Sequence, residues 1–122
     1  MIGQLRATVL DCPEPAELAR FYAELIGGSV VQDKPNWVTV QDDRGRRLSF
    51  QRAPEYRPPR FPDPAGSQQL HLDIQVDDPD AAERAALAIG ATRLDGQAEN
   101  AEGGFRVFAD PAGHPFCLVW LN

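Results

Sequence analysis

From Leu70 to Val76 apolar and polar side chains alternate without a break, Leu70, Leu72, Ile74 and Val76 against His71, Asp73 and Gln75. A period of two predicts a strand over Gln69–Val76 with one apolar face for packing. Its other face carries a histidine, an acid and an amide. A different period governs Pro15–Ile26, where Leu18, Phe21, Tyr22, Leu25 and Ile26 recur at helical spacing. Pro15 suits the first turn of that helix, where its missing N–H has no partner to lose, and Gly27-Gly28 stop it.

Proline and glycine punctuate the rest of the chain, and the marks come in pairs. In the first half a strand at Gln4–Cys12 precedes the helix. Strands at Ser29–Asp33, Trp37–Gln41 and Arg47–Arg52 follow it, the last two joined by the turn Asp42-Asp43-Arg44-Gly45. In the second half the alternating strand meets Asp78-Pro79, a cap with proline at the first helical position. A helix over Pro79–Ile89 sets Ala82, Ala85, Ala86 and Ile89 on one side and ends at Gly90. Strands at Thr92–Asp95 and Phe105–Ala109 lead to the turn Asp110-Pro111-Ala112-Gly113 and a last strand at Phe116–Leu121. Glu14-Pro15 matches Asp78-Pro79, Gly27 matches Gly90, and Asp42–Gly45 matches Asp110–Gly113. The order β-α-β-β-β therefore occurs twice, as an internal duplication. One α+β domain over residues 1–122 is expected, with modules at about 3–53 and 69–122. The connector, residues 54–68, holds five prolines. It reads either as a stiff extended linker or, through Tyr56, Arg57, Arg60 and Phe61, as a flap over a cavity mouth.

Composition narrows the function. At 122 residues and 43% apolar, the chain can build a core without disulfides or metal. Cys12 and Cys117 are too few and too far apart for a disulfide scaffold or a zinc motif. A net charge of −6 argues against nucleic acid, because no cationic excess exists to displace phosphate counterions. No apolar run is long enough to cross a bilayer and no charged leader opens the chain, so a cytoplasmic protein without membrane contact is expected.

The run Asp110-Pro111-Ala112-Gly113-His114-Pro115-Phe116-Cys117-Leu118-Val119 resembles the close of a glyoxalase-like domain. Leu70-His71-Leu72-Asp73-Ile74-Gln75-Val76-Asp77-Asp78 resembles the opening of the second module in the same group, the glyoxalase/bleomycin-resistance/dioxygenase (vicinal oxygen chelate) superfamily. The likeness spans nearly the whole chain. It implies two βαβββ modules whose sheets curl into half-barrels, a ligand site on the concave faces and a homodimer. The polar face of the fifth strand then belongs to that site rather than to bulk solvent.

Metal-using members of the superfamily take one ligand from each of four strands. The repeats place those positions at Ala7, Ser49, His71 and Cys117. Ala7 cannot ligate, Ser49 is a poor neutral ligand, and one histidine plus one thiol is too few for a divalent ion. His114, in a turn, does not complete a two-histidine, one-carboxylate set. No cofactor is therefore expected, and no stoichiometric divalent metal. Strand parity sets His71, Asp73 and Gln75 on one face, with Cys117 and Val119, Ser49 and Gln51, and Ala7 and Val9 on the equivalent faces of their strands. If the repeats pair as aligned, these faces line one groove, with Trp37 and Phe108 the aromatic residues allowed into it. Phe50, Phe116 and Trp120 are assigned to the core.

Each candidate has a plainer reading. His71 serves equally as a hydrogen-bonded strand residue, Asp73 as the partner of an arginine such as Arg106, and Cys117 as a small buried hydrophobe. Three functions stay open: a metal-free binding protein for a small organic molecule, a metal-dependent lyase, isomerase or dioxygenase with a nonstandard site, and a metal-free enzyme in which His71 and Asp73 are catalytic and move protons.

Overall fold

A computed structural model describes residues 1–122. Both halves of the chain follow the βαβββ order. The first contains β1 (Thr8–Cys12), α1 (Pro15–Ile26), β2 (Ser29–Lys34), β3 (Trp37–Gln41) and β4 (Arg47–Arg52). The second contains β5 (Leu72–Gln75), α2 (Pro79–Ala88), β6 (Thr92–Asn100), β7 (Gly103–Ala109) and β8 (Pro115–Leu121). Each half forms its own mixed sheet, ordered β1-β4-β3-β2 and β5-β8-β7-β6. In both sheets the first strand pairs parallel with the last, and the remaining pairs are antiparallel. Two compact units result, Met1–Arg57 and Pro58–Asn122, divided within the proline-rich connector. Residues 53–71 hold neither helix nor strand.

The duplication extends to single atoms at the two turns. Asp42 Oδ1 accepts the backbone N–H groups of Arg44 (2.9 Å) and Arg46 (2.8 Å). Asp110 Oδ1 accepts those of Ala112 (2.8 Å) and His114 (3.0 Å). The second carboxylate oxygen meets Arg46 Nε at 2.7 Å in one turn and His114 Nδ1 at 3.0 Å in the other. Gly45 and Gly113, with φ of 81° and 93°, complete the turns where a side chain would be strained. The helix starts are less alike. Asp78 caps α2 through its side chain, to the N–H groups of Asp80 and Ala81, whereas Glu14 makes no such bond to α1.

In the first unit one sheet face carries α1, through Leu10, Cys12, Leu18, Phe21, Tyr22, Val38, Val40 and Phe50, all buried. Tyr22 stacks on Phe50 with ring centroids 5.4 Å apart. In the second unit Phe108 stacks on Phe116 at 5.5 Å, beside buried Leu118 and Trp120. Helix α2 is held differently, since Ala86 is its only buried residue. Ala85, expected on the packed side, is exposed, and the inner side instead runs through Ala82, Glu83, Ala86 and Ile89. Glu83 binds both Arg93 (2.9 Å) and Arg106 (3.2 Å), whose guanidinium groups lie over Phe108 and Trp120.

Several boundaries differ from the sequence reading. β1 and β5 begin at Thr8 and Leu72 rather than Gln4 and Gln69; their parallel pairing starts at Leu48 of β4 and Phe116 of β8, one residue inside those strands. β6 continues to Asn100 and β7 starts at Gly103, forming a hairpin whose turn is closed by Asn100 Oδ1 accepting the Glu102 N–H at 2.8 Å. Gln97, Glu99 and Asn100 show no apolar alternation, so the hairpin is set by backbone pairing rather than by pattern.

Candidate functional site

Register decides which side chains share a face, since directly paired residues point the same way. In the first unit Val9 pairs with Ser49 and Ser49 with Thr39; Asp11 pairs with Gln51 and Gln51 with Trp37. These residues occupy the face opposite α1. Val9, Trp37, Ser49 and Gln51 thus lie together as parity implied, and half-buried Ala7 sits one residue before β1. Ser49 and Thr39 are each 2% exposed. Trp37 Nε1–H donates to Thr39 Oγ1 at 3.1 Å, and Thr39 and Ser49 hydroxyls meet at 2.8 Å. Thr39 donates onward to Gln32 Oε1 at 3.3 Å. One hydroxyl proton serves one acceptor, so Ser49 is the donor to Thr39 and keeps its lone pairs for other partners.

In the second unit Asp73 pairs with Cys117 and Cys117 with Val107, while Gln75 pairs with Val119 and Val119 with Phe105. His71 stands one residue ahead of β5 rather than inside it. Its Nε2 lies 3.2 Å from Asp73 Oδ1, both side chains being well exposed. Together His71, Asp73 and Cys117 bring one imidazole nitrogen, one carboxylate oxygen and one sulfur within 4.8 Å of one another. Burial pushes the Cys117 thiol above its ordinary pKa, and the Asp73 carboxylate pushes it the same way. At neutral pH it keeps its proton, which makes Cys117 a poor nucleophile.

Two expectations are corrected here. Asp73 does not pair with Arg106; that guanidinium reaches Asp80 (2.9 Å) and Glu83 (3.2 Å) on α2, because residue 106 pairs with Leu118 on the helix side. Phe108 is fully buried against Phe116 on that same side and is removed from the candidate lining. Val107, its neighbour in sequence, takes the place on the open face, with Phe105 two residues before it. Thr39 and Gln32 of the first unit were missed as well. Parity from Trp37 signals Thr39, whereas Gln32 lies beyond a bulge between Val30 and Gln32 that breaks parity counting.

The metal positions of the superfamily are not met. Ala7 has no donor atom, Ser49 offers only a neutral hydroxyl already hydrogen-bonded to Thr39, and the first unit contributes no charged or imidazole ligand at either position.

Two sheets of this order, each with one helix and one parallel closing pair, define the vicinal oxygen chelate fold. The profile of the glyoxalase-like domain matches residues 7–119, and the chain belongs to that family. Solved structures agree. A glyoxalase/bleomycin resistance protein/dioxygenase family enzyme from Burkholderia phytofirmans PsJN superposes with a TM-score of 0.77 at 15% identity, over 98% of this chain and 100% of that one. A glyoxalase-related enzyme from Fulvimarina pelagi gives 0.70 at 22% identity, over 98% and 88%. A glyoxalase/bleomycin resistance protein from Albidiferax ferrireducens T118 gives 0.70 at 15%, over 98% and 100%. At these identities the likeness is one of fold. No curated protein matches the chain. No helix is long and apolar enough to cross a membrane.

Proposed function

We propose that this glyoxalase-like protein binds a small organic molecule on the helix-free face of its second sheet, using its own side chains. The observation that carries this reading is the second unit's open face. Apolar Val107, Val119 and Phe105 adjoin His71, Asp73 and Gln75, a floor with polar groups along one side. Small-molecule sites need this composition, apolar area for affinity and a few polar groups for orientation. Val9, Trp37, Ser49 and Gln51 supply the same mixture on the first unit. The ligand is a compact, partly apolar molecule with groups that can bond an imidazole and a carboxylate.

Two substitutions test it in binding assays on metal-free protein. Val119→Phe enlarges a half-buried floor position of that face, so binding is blocked while circular dichroism stays unchanged. His71→Ala removes one hydrogen bond and weakens binding by about 1 kcal/mol, roughly fivefold. Unchanged affinity in both variants contradicts the proposal.

The 3.2 Å contact between His71 and Asp73 favours a second reading, an enzyme of the superfamily that moves a proton through this pair without metal. In that case His71→Ala abolishes turnover while shifting affinity only a few-fold. Loss of affinity without any turnover to lose favours the binding protein.

A further inference from the structure

Counted along the sequence, the metal donors of the second half are His71 and Cys117, one nitrogen and one sulfur. Folding adds a third. Asp73 lies two residues after His71 and is the register partner of Cys117, so strand parity and sheet pairing bring it to the same spot. We propose that His71, Asp73 and Cys117 form a site for one thiophilic divalent ion of the zinc class, complete within the second module. It is not the four-strand arrangement of the superfamily. Two donors come from β5 and the residue just ahead of it, and Asp73 corresponds to none of the four aligned positions.

Three features support this site. The three ligand atoms lie within 4.8 Å of one another, with His71 Nε2 and Asp73 Oδ1 already at 3.2 Å. Tetrahedral coordination at ordinary zinc bond lengths sets donors about 3.3–3.8 Å apart, so a closure of about 1 Å is enough. The exposed His71 and Asp73 side chains can supply it by rotation while buried Cys117 stays in place. The donor set is chemically selective: sulfur and imidazole suit zinc, cobalt and cadmium better than magnesium or calcium. Charge also balances, one thiolate and one carboxylate against one dication, with the thiol proton released to solvent on binding. Three protein donors leave the fourth position to water or a ligand atom. This inference does not rest on the small-molecule reading, because the ion alone is the probe.

The test uses untagged full-length protein stripped of metal and titrated with cobalt(II), then with zinc(II) in competition. One equivalent of cobalt is expected, with tetrahedral d–d bands and a sulfur-to-cobalt charge-transfer band in the ultraviolet, all displaced by zinc. Cys117→Ser loses the charge-transfer band although Cys12 is still present. His71→Ala and Asp73→Asn each weaken binding about tenfold or more. Both of those side chains are exposed, so their variants decide the matter even if Cys117→Ser fails to fold. An octahedral spectrum without the sulfur band, no saturable binding, or binding unchanged in His71→Ala and Asp73→Asn overturns the proposal. The small-molecule reading is measured in the presence of chelator, so either can fail while the other stands.

Discussion

Asp42 and Asp110 occupy equivalent turns and show how much one carboxylate can organise. Each closes a β-turn by accepting two backbone N–H groups, and each also holds a cationic or imidazole side chain four residues on. Asp110 is 3% exposed, so Asp110→Ala leaves buried donors unmet and should destabilise the protein by about 3 kcal/mol in urea unfolding. Partial burial pushes the Asp42 pKa up, but hydrogen bonds from the Arg46 side chain and from the backbone of Arg46 and Arg44 outweigh it. The group ends below its ordinary value of 3.8. A depressed carboxylate stabilises above its unfolded pKa and loses that contribution as pH falls through the folded one. Asp42→Asn is therefore less stable than wild type at neutral pH, and the gap between their unfolding curves closes in acid. A gap independent of pH contradicts the assignment. Both turns were legible in sequence from Asp and Gly at matching offsets. Phe108 was not, because Val107 and Phe108 are both apolar and only pairing with β8 tells which faces the helix.

Among the elements, α1 and α2 show why one helix was read more accurately than the other. α1 carries large apolar residues at helical spacing, and its bounds coincide with the expected Pro15–Ile26. α2 is built of small residues, so hydrophobic period alone could not locate its inner face. That face is marked by Glu83, a charged residue half-sheltered between two arginines. Arg106→Ala removes packing over Trp120 together with the Glu83 contact and should cost about 1–2 kcal/mol, whereas Asp80→Ala, on a carboxylate 72% exposed, should cost nearly nothing. Equal losses from the two variants contradict this account of α2 docking. In the hairpin, Gly104 lies so close to the Trp120 ring that an added Cβ would fall 2.5 Å from it. Gly104→Val should destabilise by about 1–3 kcal/mol through overpacking. The alternating β5 pattern correctly implied a polar face but overran the strand's start, since the parallel pairing with β8 begins at Leu72 and Phe116.

For the molecule as a whole, the duplicated order and the family were legible because punctuation recurs at matched offsets, and the likeness spans most of the chain. The chemistry was less so, because a donor count along the sequence misses what sheet pairing brings together at Asp73 and Cys117. Each sheet ends in strands with one side unpaired within it, β1 and β2 in one, β5 and β6 in the other. Open edges are a liability unless covered, and a homodimer is proposed to cover them; light scattering should report twice the chain mass across the micromolar range, and a monomer mass throughout argues against it. The central claim is that small molecules are recognised on the open sheet face of the second unit by protein groups. Its most direct test is amide and side-chain chemical-shift mapping of a small-molecule library on isotope-labelled protein in chelator. Binders should perturb His71, Asp73, Gln75, Val107, Cys117 and Val119 while leaving the outer face of α2 unchanged, and His71→Ala should weaken them. A library without a single binder, or binders whose shifts gather on α2 and leave β5 and β8 untouched, contradicts it.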